Sequence, residues 1–255
     1  MSANGLVANP SKTTFIILND KQDGANSRTV KVGDIEVKQE RSAKLLGVTI
    51  DDSQHWNSQI YGKGGTLSSL SSRMFVVKRI QNQVGKSGIK KIVDSLYTSK
   101  LRYGLPLFGK IKWKESDPQE KWLSDLQLNQ NKMMRFMNGS KLKDKISTKS
   151  ILTKHDILSV NQLNAQINLF DMWKASNVVD YPTKLKKVIA NDDRATTRAV
   201  TNGNLVEEGV TIASKNTFYN DAIKAWNIAP LAIKSCKSIW SAKSEIKKYV
   251  KTLPI

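Results

Sequence analysis

Two aspartates stand side by side at the end of an apolar run in "KLLGVTIDDSQHW", Lys44 to Trp56. Adjacent carboxylates hold divalent cations in polymerases and metal-dependent nucleases, where a pair of cations about 3.5 to 4 Å apart steadies the attacking and leaving oxygens. Successive residues of a strand point to opposite faces, so Asp51 and Asp52 would converge on a metal only at a tight turn. Polymerases of the right-hand type place such a pair in a hairpin with an aromatic residue two positions earlier, and here that position is Thr49. The competing reading is that Asp51, Asp52 and Ser53 end a strand and cap the next element, because Asp and Ser are favoured helix starters. Capping is the expected role. A second pair, Asp192-Asp193, falls in a stretch without a preceding strand pattern.

Other reactive residue types are sparse. His55 and His155 are the only histidines, and no carboxylate cluster accompanies them to complete a zinc site. Cys236, the only cysteine, excludes an intramolecular disulfide, and no motif links it to His155 as a thiol-imidazole dyad. "YGKGGTLSS" carries Gly62, Gly64 and Gly65 but lacks the G-x-x-x-x-G-K-[ST] spacing of a phosphate loop.

The elements around these residues change period along the chain. "TTFIIL", "RTVKVGDIEVKQ" and "AKLLGVTI" read as four short strands, with Val30, Val32, Ile35 and Val37 forming a hairpin about Gly33-Asp34. After Trp56 the period becomes helical. Ile60, Leu67, Leu70, Met74, Val77 and Ile80 predict one helix, interrupted early by the glycines. A second starts near Lys86, with Ile89, Val93, Leu96 and Tyr97 on one face, and stops near "RYGLPLFG". A third comes after Pro118 and ends at Asn138-Gly139. "KLKDKISTKS" reads as a basic linker, Val160 to Trp173 as an amphipathic helix, and "ANDDRATTRAVTNGNLVEEG" as an exposed irregular stretch. Two last helices are predicted, Thr217 to Asn227 and Ile239 to Leu253. The fold class is therefore α+β and predominantly α-helical: a small antiparallel β region at the N-terminus, then helices. Segments 1–56, 57–140 and 141–255 are its expected divisions.

Across its 255 residues the chain has 41 Lys and Arg against 22 Asp and Glu, a net +19, which makes a polyanion the leading class of partner. A hydrophobic fraction of 39% suits folded segments joined by polar connections. The first residues, "MSANGLVANPSKTTFIILND", do not read as a secretory signal, and no apolar run is long enough to span a membrane. With one cysteine, an intracellular setting in cytoplasm or nucleus is expected. Because a strand-like run comes almost at once, the sequence reads as the later part of something longer.

The order of motifs resembles the region after the catalytic hairpin in reverse transcriptases of non-LTR retrotransposons, closest to the jockey-like group. "GLVANPSKTTFIIL" is similar to that family's Asn-Pro-x-Lys-Thr motif, and "AKLLGVTIDDSQHWNSQI" to its Leu-Gly primer-grip element. "LYTSKLRYGLPLFG" looks like the thumb helix and its exit, "LQLNQNKMMRFMNG" like the next, Gln-Asn helix, and "ILSVNQLNAQINLFDMWK" and "TFYNDAIKAWNIAP" like the region near the end of such frames. The resemblance spans nearly the whole chain. It places Asp51 and Asp52 in a variable acidic slot downstream of the family's catalytic aspartates. The aromatic-x-Asp-Asp motif, the earlier catalytic aspartate segment, the fingers, the endonuclease and any ribonuclease H acidic set are not found in the sequence.

The resemblance implies a palm edge and primer grip over 1–56, a thumb-like helical bundle over 57–140 and a C-terminal helical region over 141–255. It implies binding of RNA or an RNA/DNA template-primer duplex, with no catalysis by this chain alone and no cofactor of its own, since the ligands for the family's Mg2+ are not present. The residues expected to touch nucleic acid are Lys12 of the Asn-Pro-x-Lys motif, Leu46 and Gly47 of the primer grip, Arg73, Lys78 and Arg79 on the first helix, and Lys86, Lys90, Lys91, Lys100 and Arg102 on the second. Gly47 would let backbone approach closely with Leu46 packed behind it, or else relieve a twisted strand. A solvated helix face is the plainer account of the cations. Trp113, Trp122, Trp173, Trp226 and Trp240 are expected mainly in the core. The competing functions are a basic helical adaptor for a protein partner and a metal-dependent nuclease using Asp51 and Asp52.

Overall fold

The computed structural model describes residues 9, 12–18, 28–33, 35–53, 55–140, 142–181, 205 and 218–255. The fold is mostly helical, 59%, with two small antiparallel two-strand sheets near the N-terminus followed by helices, as the sequence pattern predicts. Two compact units divide the chain, Met1–Ser69 and Leu70–Ile255.

In the first unit the run Thr13 to Leu18, expected as a strand, pairs at one point among the described residues. Phe15 bridges to Gln39, and its carbonyl accepts the Glu40 N–H at 2.9 Å. Strands β1 (Thr29–Val32) and β2 (Ile35–Lys38) form the expected hairpin. Partners Val30 and Val37, then Val32 and Ile35, share one face. Of these Val37 is buried, whereas Val30 and Ile35 stay about half exposed. The stretch read as one further strand is a second hairpin, β3 (Ser42–Leu45) and β4 (Val48–Asp51). Leu46 and Gly47 are its two-residue loop, with φ 49° and 81°. Positive φ at both positions gives a loop twist that matches the strands. Glycine adopts it freely, while Leu46 accepts a left-handed cost of roughly 1–2 kcal/mol.

Helix α1 (Asn57–Tyr61) is tied to β4 by the buried Gln59, whose Oε1 accepts the Thr49 N–H at 2.7 Å and whose Nε2 donates to Thr66 Oγ1 at 3.0 Å. A glycine turn then leads into α2 (Thr66–Ile80). A Cβ on Gly65 would stand 2.8–2.9 Å from the carbonyl oxygens of Gln59, Ile60 and Gly62. Backbone crowding accounts for that glycine without any bound phosphate.

In the second unit, α3 (Lys86–Ile92), a π-helical stretch (Val93–Thr98) and α4 (Ser99–Arg102) run on as the single helix expected. Ile89, Val93, Tyr97, Thr98 and Leu101 are its buried residues among those described. Gly104 at φ 73° turns the chain into α5 (Leu105–Phe108). Helix α6 (Lys121–Asn138) ends where Gly139 takes φ 69° and the Ser140 N–H reaches back to the Arg135 carbonyl at 3.0 Å. Helix α7 (Thr148–His155) begins inside the basic segment read as a linker, with Ser147 Oγ accepting the Ser150 N–H. Helix α8 (Val160–Asn177) opens with a capping box between Ser159 and Gln162. Helices α9 (Phe218–Ile228), α10 (Leu231–Lys234) and α11 (Ile239–Val250) complete the unit. The irregular stretch expected at 190–209 lies outside the described residues except for Leu205, whose N–H and C=O both bond the Asn227 amide.

Helix α8 is the centre of this unit, packed by α4, α5, α6, α9 and α11. It is not the amphipathic helix its pattern suggested. Asn161, Gln162, Asn164 and Asn168 are as buried as Leu163 and Leu169. Most buried polar groups are hydrogen-bonded, though Asn164 Nδ2 and Asn168 Oδ1 have no partner among the described residues. Asn161 and Gln162 are satisfied by holding backbone: Asn161 binds Lys112 N–H and C=O and the Pro254 C=O, and Gln162 Nε2 binds the Leu253 C=O. The buried Gln130 of α6 does likewise with the Leu158 C=O.

Candidate nucleic-acid interface

Asp51 ends β4 as expected of the aspartate pair, but it does not cap α1, whose N-cap is Trp56 without a side-chain capping bond; it holds the turn instead. Its Oδ1 accepts from Ser53 Oγ at 2.8 Å and from the His55 N–H at 3.1 Å, closing the turn between β4 and α1. Among the described residues no three His, Cys, Asp or Glu side chains are grouped to hold a metal. His155 Nε2 lies 3.0 Å from Asn138 Oδ1, and Cys236 Sγ donates to the Ala232 C=O, so each is engaged with other groups.

Three expected contacts lie in the first unit. Lys12 is exposed, its N–H bonded to the Asn9 C=O. Leu46 does not pack behind Gly47: it is 83% exposed at the hairpin tip. The reason is the loop geometry, which turns both residues away from the ladder.

The remaining eight are in the second unit and do not share one face. Arg73 is half-buried, and its guanidinium donates to the Leu96 C=O at 2.9 Å. A π-helical stretch lengthens the hydrogen-bonded repeat and disturbs the carbonyl ladder, and Arg73 serves the backbone there. Its role is therefore structural. Lys100 lies 5.4 Å from the Tyr103 ring centroid, and Arg102 is acted on by the carboxylates of Asp171 and Asp94. Lys91 is exposed, and the Lys86 side chain lies outside the described residues. Arg79 covers the exposed ring of Phe75 at 5.9 Å.

Lys78 and Lys90 belong to a different setting, the C-terminal end of α6. Lys78 Nζ stands 5.5 Å from the Phe136 ring centroid, and Lys154 Nζ donates to Asn138 Oδ1 at 3.1 Å beside His155. Burial holds the His155 imidazole below its ordinary pKa, and the ammonium groups of Lys154 and then Lys90 lower it further. Lys78 of α2 and Lys154 of α7 thus reach residues 136 and 138, and Lys90 of α3 acts on His155 beside them. Lys78, Lys90 and Lys154 form no ion pair with a described residue, whereas Lys110, Lys112, Lys174, Lys247, Lys248 and Lys251 are each matched to a carboxylate. Exposed Lys143, Lys145 and Lys149 lie along the connection and first turn of α7. Lys154 and these three were not singled out from the sequence, although Lys143, Lys145 and Lys149 lie in the basic run "KLKDKISTKS" and Lys154 four residues past it.

The tryptophans separate clearly. Trp173 and Trp226 are buried as expected, and the Trp173 indole N–H donates to the Cys236 C=O at 2.9 Å. Trp240 is 80% exposed, against expectation. The buried series Ala242, Ile246 and Val250 sets the inner face of α11, and Trp240 lies two residues before it, on the far side.

No protein-family model, no curated protein and no solved structure matches this chain. Among the described residues no helix is long and apolar enough to cross a membrane.

Proposed function

We propose that the chain binds a nucleic-acid duplex through the second unit, as the thumb and C-terminal region of a non-LTR retrotransposon reverse transcriptase would hold template and primer. The observation that carries this reading is the approach of Lys78 and Lys154, without carboxylate partners among the described residues, to the last turn of α6, with Lys90 acting on the neighbouring His155. Cations without carboxylate partners among the described residues suit phosphates, because each neutralised phosphate releases condensed counterions. Arg73 and Arg102 are left out of the contact set, the first because it holds backbone and the second because two carboxylates already act on it. An RNA or RNA/DNA partner goes with an intracellular setting. The chain alone does not polymerise, since the sequence lacks the aromatic-x-Asp-Asp motif; a primer-extension product obtained with Mg2+ would overturn that part.

Fluorescence anisotropy with a labelled duplex over a range of salt concentrations tests the binding. The log-log slope is expected to be near −0.9 per neutralised phosphate on a DNA duplex. The variant K78A/K90A/K154A should be less steep by two to three such steps. Lys248→Ala, at an ammonium already paired with Glu245, should leave the slope alone. A flat titration of the unaltered protein would remove the electrostatic basis of the reading.

A further inference from the structure

A chemically distinct surface lies on α8 and α11. Trp240 occupies the first turn of α11, which is fixed by Ser238 Oγ accepting the Ser241 N–H at 3.1 Å. Lys243, one turn on, has its ammonium 5.3 Å from the Trp240 ring centroid and 5.4 Å from that of Phe170. Phe170 is in turn 5.0 Å from the Lys174 ammonium, which also lies 5.2 Å from the Tyr181 ring. Behind Phe170, Trp173 stacks in parallel, with centroids 6.1 Å apart and planes 4° apart. Rings and ammonium groups therefore alternate from Trp240 to Tyr181. The carboxylate within this array is Asp171, 2.6 Å from Lys174.

Trp240 is 80% exposed, and what sets it apart from a singly exposed apolar side chain is the array of rings and ammonium groups it heads. Two properties select among partners. The open aromatic face suits a flat π-system, and the neighbouring cations suit an anion attached to it. Lys243 carries no carboxylate of its own among the described residues, and the exposed Lys237 just before the helix adds a second unmatched charge. A nucleotide in a single strand presents both features together, a base to stack and a phosphate beside it. A base within a duplex is already stacked on its neighbours.

We propose that Trp240, with the Lys243 ammonium held between it and Phe170 and with Lys237 just before the helix, is a stacking platform for an unpaired base of single-stranded nucleic acid. The site is separate from the lysines at the end of α6 and does not depend on them. A strand leaving a duplex held there would have a place to go, but the platform is defined without that duplex.

The test compares full-length protein with its Trp240→Ala and Trp240→Phe variants on two probes at one salt concentration: a labelled oligothymidylate single strand and a labelled mixed-sequence DNA duplex. Trp240→Ala should weaken the single strand by roughly five- to 150-fold, the range that loss of one stacked base produces. Duplex affinity should not change, and Trp240→Phe should keep most of the single-strand affinity. Because Trp240 is exposed, its removal should leave the circular dichroism spectrum and melting temperature in place, and those measurements accompany the binding. Equal losses on both probes would overturn the platform, as would no loss on the single strand. A Trp240-dependent affinity for anionic vesicles or for an acidic peptide, with none for oligothymidylate, would reassign the surface to that partner. The variant K78A/K90A/K154A separates the two sites: its duplex result judges the earlier reading, while the Trp240 variants judge this one.

Discussion

Asn161 is the residue whose replacement says most about how the helical unit holds together. It is buried on the first turn of α8, and its amide is used at every polar position: Oδ1 accepts the Lys112 N–H at 2.7 Å, and Nδ2 donates to the Lys112 C=O at 2.8 Å and to the Pro254 C=O at 3.0 Å. Truncation to Ala removes all three bonds. At a net worth of about 1 kcal/mol each, the loss is about 3 kcal/mol, a sizeable share of the stability of any domain. For a unit of this size each kcal/mol lowers the melting temperature by about 2–4 °C, so a fall of about 6–12 °C is expected by far-UV circular dichroism. Asn161→Asp is the sharper variant. It keeps the shape and the acceptor, yet replaces both donations with a carboxylate facing two carbonyl oxygens. At neutral pH it should be at least as harmful as Ala. Those carbonyls raise the folded-state pKa of the new carboxyl, so stability should return as pH falls and the protonated group donates again. A fall below about 2 °C for Asn161→Ala, or an Asp variant more stable than the Ala variant at pH 7, would refute the amide clamp.

Gly109 lies where a Cβ would stand 2.7 Å from the Leu105 C=O and 2.8 Å from Asn164 Nδ2, so Gly109→Ala should cost about 1–3 kcal/mol by overpacking, read in a urea titration as a lower midpoint at constant slope. Asp156, at the end of α7, receives Lys247 and Lys251, and these bonds hold its pKa down at about 2. A depressed carboxylate stabilises the fold above its unfolded pKa near 3.9 and loses that contribution as pH falls through the folded value. Because the groups are exposed to solvent the effect should be below about 1 kcal/mol, and the gap between the protein and Asp156→Asn should be present at pH 5–7 and close towards pH 2. A gap independent of pH would assign the loss to helix capping instead.

Legibility in the sequence depends on which forces are local. Helix existence was legible because apolar spacing and the stop signals at Gly104 and Gly139 act within a turn or two. The hairpin tip at Leu46-Gly47 was not, because Leu46 in a left-handed conformation breaks the local preference that marks turns, and the apolar letters on either side read as one strand. Helix α8 was misread for a different reason. Asn and Gln normally mark a solvent face, and here Asn161 and Gln162 are buried because backbone from Lys112, Leu253 and Pro254, distant in sequence, supplies their partners. The same limit governs the cations. Composition established that positive charge is in excess, but which charges are free depends on tertiary neighbours. Arg73 is taken by a carbonyl in the π-helical stretch, and Arg102, its pKa lowered by burial, lies in the opposing field of Asp171 from another helix. Lys78 and Lys154, far apart in sequence, come to neighbouring residues of α6. A charge count therefore points to a polyanion, and only the packing of α2, α6 and α7 says where on the second unit a phosphate would meet cations that no carboxylate has already claimed.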